Sequence, residues 1–132
     1  MFHGLSAFPL TPLKEGKFDE QAFINLLRPL IDAGVDSLGI LGSTGSYAYL
    51  TVEERTHITR CAVEHANDIP VMVSIGALRL DDILRLAEHA QKAGASSVLM
   101  APVSYQRLTT DEVYSLYETV TRQLSDRKST RL

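Results

Sequence analysis

Strand–helix alternation repeated four times, strands that are almost continuously apolar, and two glycine-stopped helices leading into buried strands predict an α/β fold of parallel strands covered by helices. The two echoing segments are Asp32-Ala33-Gly34-Val35-Asp36-Ser37-Leu38-Gly39-Ile40 and Lys92-Ala93-Gly94-Ala95-Ser96-Ser97-Val98-Leu99-Met100, which agree in residue type and order. Neither a P-loop nor G-x-G-x-x-G follows any strand, so a nucleotide-binding doubly wound sheet loses ground to a (β/α)8 barrel. Such barrels take about 250 residues, and this chain supplies four units, so the expectation is the N-terminal half of a TIM barrel over residues 1–125.

Each element has its own signal. Residues 6–11 form a short apolar run ended by Pro12, and a helix over 20–33 stops at Gly34. Pro29 lies inside that helix, where it removes a donor and usually bends the axis. Residues 37–41 read as the second strand. Thr51-Val52-Glu53-Glu54 has the capping-box pattern and starts a helix running to about Asn67. Its apolar face is faint: Ile58, Cys61, Ala62 and His65 align among polar neighbours. Asp68 and Pro70 end it, and 71–75 is a β-branched strand. Asp81 or Asp82 is expected to cap the third helix, which ends at Gly94 and places Leu80, Ile83, Leu84, Ala87 and Ala90 on one face. Residues 97–100 make the fourth strand. Thr110, with Asp111 and Glu112 in the first turn, opens the last helix, with Val113, Leu116, Tyr117, Val120 and Leu124 inward. Residues 126–132 break the pattern abruptly and are expected to be a non-native tail of the kind an in-frame adapter oligonucleotide encodes.

Composition narrows the function classes. The hydrophobic share is 45% and the net charge -3, with Arg and Lys scattered, so no basic face offers itself to nucleic acid. No apolar run approaches the ~18 residues of a membrane span, and the N-terminus lacks a secretion signal. A single cysteine, Cys61, cannot form an internal disulfide, and a reducing cytoplasm is the expected compartment.

The most informative string is Gly42-Ser43-Thr44-Gly45, where the second strand hands over to the helix beginning near Thr51. Glycines let the backbone turn tightly and approach a ligand closely. Hydroxyls and free amides there can bond a carboxylate, whose charge strengthens each bond. The alternative is a turn whose hydroxyls satisfy backbone groups.

The order Ala7-Phe8-Pro9-Leu10-Thr11-Pro12, Gly42-Ser43-Thr44-Gly45, Leu50-Thr51-Val52-Glu53-Glu54-Arg55, Pro70-Val71-Met72-Val73 and Ala101-Pro102-Val103-Ser104-Tyr105 resembles the dihydrodipicolinate synthase / N-acetylneuraminate lyase family, from the N-terminus to about Leu124. The resemblance implies a pyruvate-dependent class I aldolase on a (β/α)8 barrel, usually tetrameric, acting next to a pyruvate Schiff base without a further cofactor. It implies that Thr44 binds the pyruvate carboxylate, and that Ser43 binds it too or belongs to a proton relay. Two positions depart from the family pattern. Ser46 stands where the family has glutamate, and Pro102-Val103-Ser104 replaces proline-tyrosine-tyrosine, with Tyr105 one place late. Tyr105 is carried as a candidate substrate contact, against the alternative of a loop aromatic at a subunit contact. Tyr47 and Tyr49 either roof the pocket or pack the loop.

The same resemblance places the Schiff-base lysine and the catalytic tyrosine on later strands, beyond this chain. None of Lys14, Lys17, Lys92 or Lys128 is expected to serve: the first two flank Glu15-Gly16 in a polar turn, where nothing depresses an amine's pKa. His3, His57, His65 and His89 have no metal-ligand spacing, and Cys61 reads as a small core hydrophobe. No nucleophile elbow is present, since G-x-S-x-G is missing. The expected function is a fragment of a pyruvate-dependent aldolase or lyase, inactive alone. The rival is a non-catalytic half-barrel serving in binding or assembly.

Overall fold

A computed structural model describes residues 2–124. Its frame is a parallel sheet of four strands: β1 (Ser6–Ala7), β4 (Ser37–Ile40), β5 (Val71–Ser74) and β6 (Ser97–Leu99), in that spatial order. The two strands between, β2 (Leu13–Lys14) and β3 (Lys17–Phe18), form a separate antiparallel hairpin. The helices are α1 (Glu20–Asp32), α2 (Val52–His65), α3 (Leu80–Ala93) and α4 (Thr110–Gln123). Each strand of the main sheet neighbours the next one along the chain, with no reversal of order. A doubly wound sheet reverses, and a barrel does not. Successive helices pack on one another, α1 on α2, α2 on α3 and α3 on α4. The result is half of a (β/α)8 barrel.

Register fixes which side chains face the helices. Leu38 pairs with Val71, Gly39 with Met72 and Ile40 with Val73, and Val73 pairs in turn with Val98. With a side-chain period of two, Leu38, Ile40, Val71 and Val73 point to the helix layer. There they meet Phe23 and Leu27 of α1 and Ile58, Cys61 and Ala62 of α2. A second cluster joins Ile75 and Met100, just past the ends of β5 and β6, to Ile83, Leu86 and Ala87 of α3 and Val120 of α4. On the opposite side, the barrel interior, Gly39 lies under Phe8. A Cβ at position 39 would stand 2.2 Å from a Phe8 ring carbon, so only glycine admits the aromatic where it lies.

Several boundaries differ from expectation for local reasons. The first strand pairs only at Ser6 and Ala7, opposite Ser37 and Leu38, and the Ser6 and Ser37 hydroxyls bond each other. The polar turn at Glu15-Gly16 becomes a hairpin because both residues take left-handed backbone, φ 53° and 77°, as a two-residue hairpin turn requires. Asp19 caps α1 through Ala22 N, and Pro29 stays within the helix. The expected Asp81 or Asp82 cap of α3 is corrected: Arg79 holds the cap position without a side-chain bond, and both aspartates lie in the first turn, where they complement the dipole. The capping box at Thr51 is present as read; α4 opens at Thr110 with Asp111 and Glu112 in its first turn, and it carries a second capping box, not read from the sequence, between Thr109 and Glu112. Leu80 is 41% exposed and Leu86 takes the inward place on α3. The expected boundary at 125 and the tail 126–132 lie outside the described residues.

Candidate functional site at the C-terminal ends of the strands

The polypeptide reverses sharply where β4 ends. Leu41, fully buried, takes a left-handed backbone with φ 60°, unusual for a residue with a branched side chain. Gly42-Ser43-Thr44-Gly45 follows, and a turn closes with Ser46 N donating to Ser43 O at 3.1 Å. Ser46 is itself left-handed, φ 58°, and leads into a 3-10 turn at Tyr47–Tyr49, after which Thr51 caps α2. The loop folds back on its own strand. A Cβ at Gly45 would stand 3.0 Å from the Leu41 Cα and 3.2 Å from Thr11 Oγ1, so a side chain here would push its neighbours back by a few tenths of an ångström. Phe8 closes the other side, 3.3 Å from the place a Gly42 Cβ would take.

Ser43 and Thr44 are exposed at the rim of this loop, and among the described residues neither hydroxyl has a hydrogen-bond partner. Two free hydroxyls held between two glycines at the C-terminal end of a barrel strand suit an anionic oxygen. Tyr105 is not brought to them: it is 98% exposed on the loop after β6. Tyr49 is 88% exposed as well. Tyr47 instead packs inward, between the Arg55 guanidinium and Gly76.

Arg55 is what sequence reasoning missed. It sits on the first turns of α2 and is buried, donating from Nη1 to Gly76 O at 2.7 Å and from Nη2 to Ser74 O at 2.8 Å. Its signal was its place: Arg55, Ile58 and Ala62 share one helical face, so the charge had to point into the protein. Thr11, beside Gly45, was missed for want of any local pattern. At the end of β6, Tyr117 of α4 donates its hydroxyl to Met100 O at 2.8 Å, and burial pushes that phenol's pKa up.

Among the described residues, neither the cysteine nor any lysine is placed to act as a nucleophile. Cys61 is buried and its thiol is pushed up to about 12, by desolvation first and then by the Glu20 carboxylate. Lys14 and Lys17 are exposed on the hairpin, and Lys92 is exposed and paired with Glu88 at 2.7 Å. Lys128 lies outside the described residues. Among the described residues no group of three His, Cys, Asp or Glu side chains is placed to hold a metal ion, and no helix is long and apolar enough to cross a membrane.

A sequence model of the dihydrodipicolinate synthetase family matches residues 1–127. This chain belongs to that family. The 4-hydroxy-tetrahydrodipicolinate synthase of Syntrophobacter fumaroxidans is 32% identical over 123 residues, which cover 92% of this chain and 42% of that protein. The crystal structure of the dihydrodipicolinate synthase of Agrobacterium tumefaciens superposes with a TM-score of 0.88 at 47% identity, over 92% of this chain and 42% of that one. YagE of Escherichia coli, a prophage protein of the same family solved in complex with pyruvate, superposes with a TM-score of 0.83 at 30% identity, over 89% of this chain and 41% of its own. The chain therefore spans about two fifths of the length of the relatives it matches.

Proposed function

We propose that this chain is the carboxylate-binding half of a pyruvate-dependent Schiff-base aldolase or lyase. The observation that carries the reading is the pair of unpartnered hydroxyls, Ser43 and Thr44, held between glycines at the C-terminal end of β4 in a chain of this family. YagE, with its bound pyruvate, supports a 2-keto acid as the ligand. Thr44 binds the carboxylate, and Ser43 shares it or relays a proton. Both orient the ketone for attack, a positioning effect able to lower the barrier by several kcal/mol, roughly 7–11 at most. A neutral lysine adds to the ketone and water leaves. The iminium then accepts electrons as the neighbouring carbon–carbon bond forms or breaks. Lys14, Lys17 and Lys92 are all exposed, so that lysine comes from outside residues 2–124, and the isolated chain is expected to be inactive. The partner substrate is an aldehyde or a sugar acid, the relatives including both synthases and YagE, a candidate 2-dehydro-3-deoxy-D-gluconate aldolase. A cytoplasmic homo-oligomer, a tetramer in the full-length parent, completes the reading.

Two measurements test it. Borohydride reduction of the 132-residue chain with pyruvate is expected to leave its mass unchanged; a stoichiometric adduct on Lys14 or Lys17 would overturn the assignment of the nucleophile. In a complete barrel carrying this sequence, Thr44→Val is expected to lower kcat/KM for the keto acid by roughly 10–150-fold, the worth of one hydrogen bond to a charged group. Unchanged kinetics would remove Thr44 from the carboxylate site.

A further inference from the structure

Among the described residues Arg55 is the only charged side chain that the fold buries, 3% exposed. Burying a cation is costly unless its donors are met, and an apolar residue at this place on α2 would fill the space more cheaply. The guanidinium is incompletely served even so: Nη1 and Nη2 find the Gly76 and Ser74 carbonyls, while Nε is buried without a partner. We propose that Arg55 is a positioning residue for the keto-acid pocket, locking the loops after β4 and β5 into one register. The inference rests on the carboxylate reading of Ser43 and Thr44.

The geometry shows how one cation reaches both loops. Its two bonds span the end of β5 and the first residues beyond it, Ser74 to Gly76. With the Gly76 carbonyl drawn toward α2, the trans peptide turns the Ala77 N–H the opposite way, away from that helix. The Tyr47 ring lies 5.2 Å from the guanidinium carbon and stands 3.6 Å from the place a Gly76 Cβ would take. Tyr47 is two residues past Gly45, so the ring that Arg55 and Gly76 clasp is the anchor of the loop bearing Ser43 and Thr44. Gly76 also faces Ala101 O at 3.3 Å by the same measure, which extends the contact to the end of β6. Desolvation pulls the Arg55 pKa down to about 10, opposed by Tyr47 and Asp82, so the group remains a cation at neutral pH.

The test uses Arg55→Met and Arg55→Lys, with Thr44→Val beside them, in a complete barrel carrying this sequence. It reads KM and kcat for pyruvate and amide exchange in residues 42–49. If Arg55 positions the pocket, Arg55→Met raises KM roughly 10-fold or more, because a displacement of about an ångström in a positioned site can cost up to ~100-fold. Exchange in 42–49 quickens while β4 and β5 stay protected, and Arg55→Lys, which keeps a donor, recovers part of both. A lower melting temperature with KM unchanged and 42–49 still protected would reduce Arg55 to a fastening between α2 and β5, and the inference would be wrong. Should Arg55→Met not fold, Tyr47→Leu, which removes the clasped ring and keeps the cation, decides by the same two readouts. If Thr44→Val leaves KM unaltered, the carboxylate reading fails instead, and the exchange of 42–49 still decides whether Arg55 holds the loop.

Discussion

Cys61 shows how the surroundings of one atom settle its chemistry. The thiol is buried against Phe23 and Leu27 and faces the negative Glu20, so both desolvation and charge disfavour the thiolate. Its pKa is raised in the folded chain, from 9.0 to about 12. Alkylation of the native protein at pH 8 is therefore expected to be far slower than that of the unfolded chain, and fast native labelling would contradict the burial. The stability consequence has a definite sign. A group that holds its proton more tightly when folded contributes its stability in full below the unfolded pKa, and loses it as pH rises through the folded one. The melting-temperature advantage of the wild type over Cys61→Ala should thus shrink between about pH 9 and pH 12. The same residue was legible in the sequence as a core hydrophobe because it aligned with Ile58 and Ala62. Arg55 was not, because periodicity arguments count apolar residues, and a buried arginine enters the count as polar. Its partners are backbone carbonyls some 20 positions away, which no local pattern encodes.

At the level of elements, helix ends carried most of the readable information. Thr109 accepts from Glu112 N at 3.2 Å while the Glu112 carboxylate takes the Thr109 N–H at 2.7 Å, satisfying two orphan donors reciprocally. Those bonds hold the Glu112 carboxyl below its usual pKa. Thr109→Ala is expected to lower the stability of a complete barrel carrying this sequence by about 1 kcal/mol, the usual worth of a cap, measured by denaturant titration. No change at all would mean that α4 frays there in solution. The capping box at Thr51 was read from sequence because its residues are contiguous and its chemistry is local. The hairpin β2–β3 escaped, although its turn was read, because strands of two residues are too short to show a period. The first strand was read too long for the opposite reason. Residues 8–11 are apolar, yet they leave the sheet after Ala7, and Phe8 crosses to lie on Gly39. Pro29 lies three residues before the end of α1 and cannot donate to the carbonyl four residues back, so the helix runs through it with one intrahelical bond fewer.

On the scale of the whole molecule, the sheet has two edges unpaired among the described residues. β1 bonds only β4 and β6 bonds only β5, so each presents a row of free backbone donors and acceptors on its outer side. Burial follows the same gradient. Every residue of β4 is buried and nearly every residue of β5, whereas β1 and β6 are half-buried or exposed along their length. The side away from the helices is thinly covered, with Phe8 and Leu99 each 40% exposed. In a closed barrel such edges meet further strands and the interior fills with side chains. A 132-residue chain on its own has neither, so it is expected to associate or to be poorly soluble, through strand pairing at the edges and burial of the uncovered apolar surface. Amide exchange should then rank the strands. Residues 6–7 and 97–99 should lose protection first, since their outer bonds are to water and their opening exposes little else. Residues 37–41 and 71–75 should hold longest, because opening them breaks bonds on two sides and uncovers Leu38, Ile40 and Val73. Light scattering and exchange on the same sample check both statements. A monodisperse monomer protected equally across all four strands would mean that these four units are a self-sufficient domain, with edges that some feature of the chain already blunts.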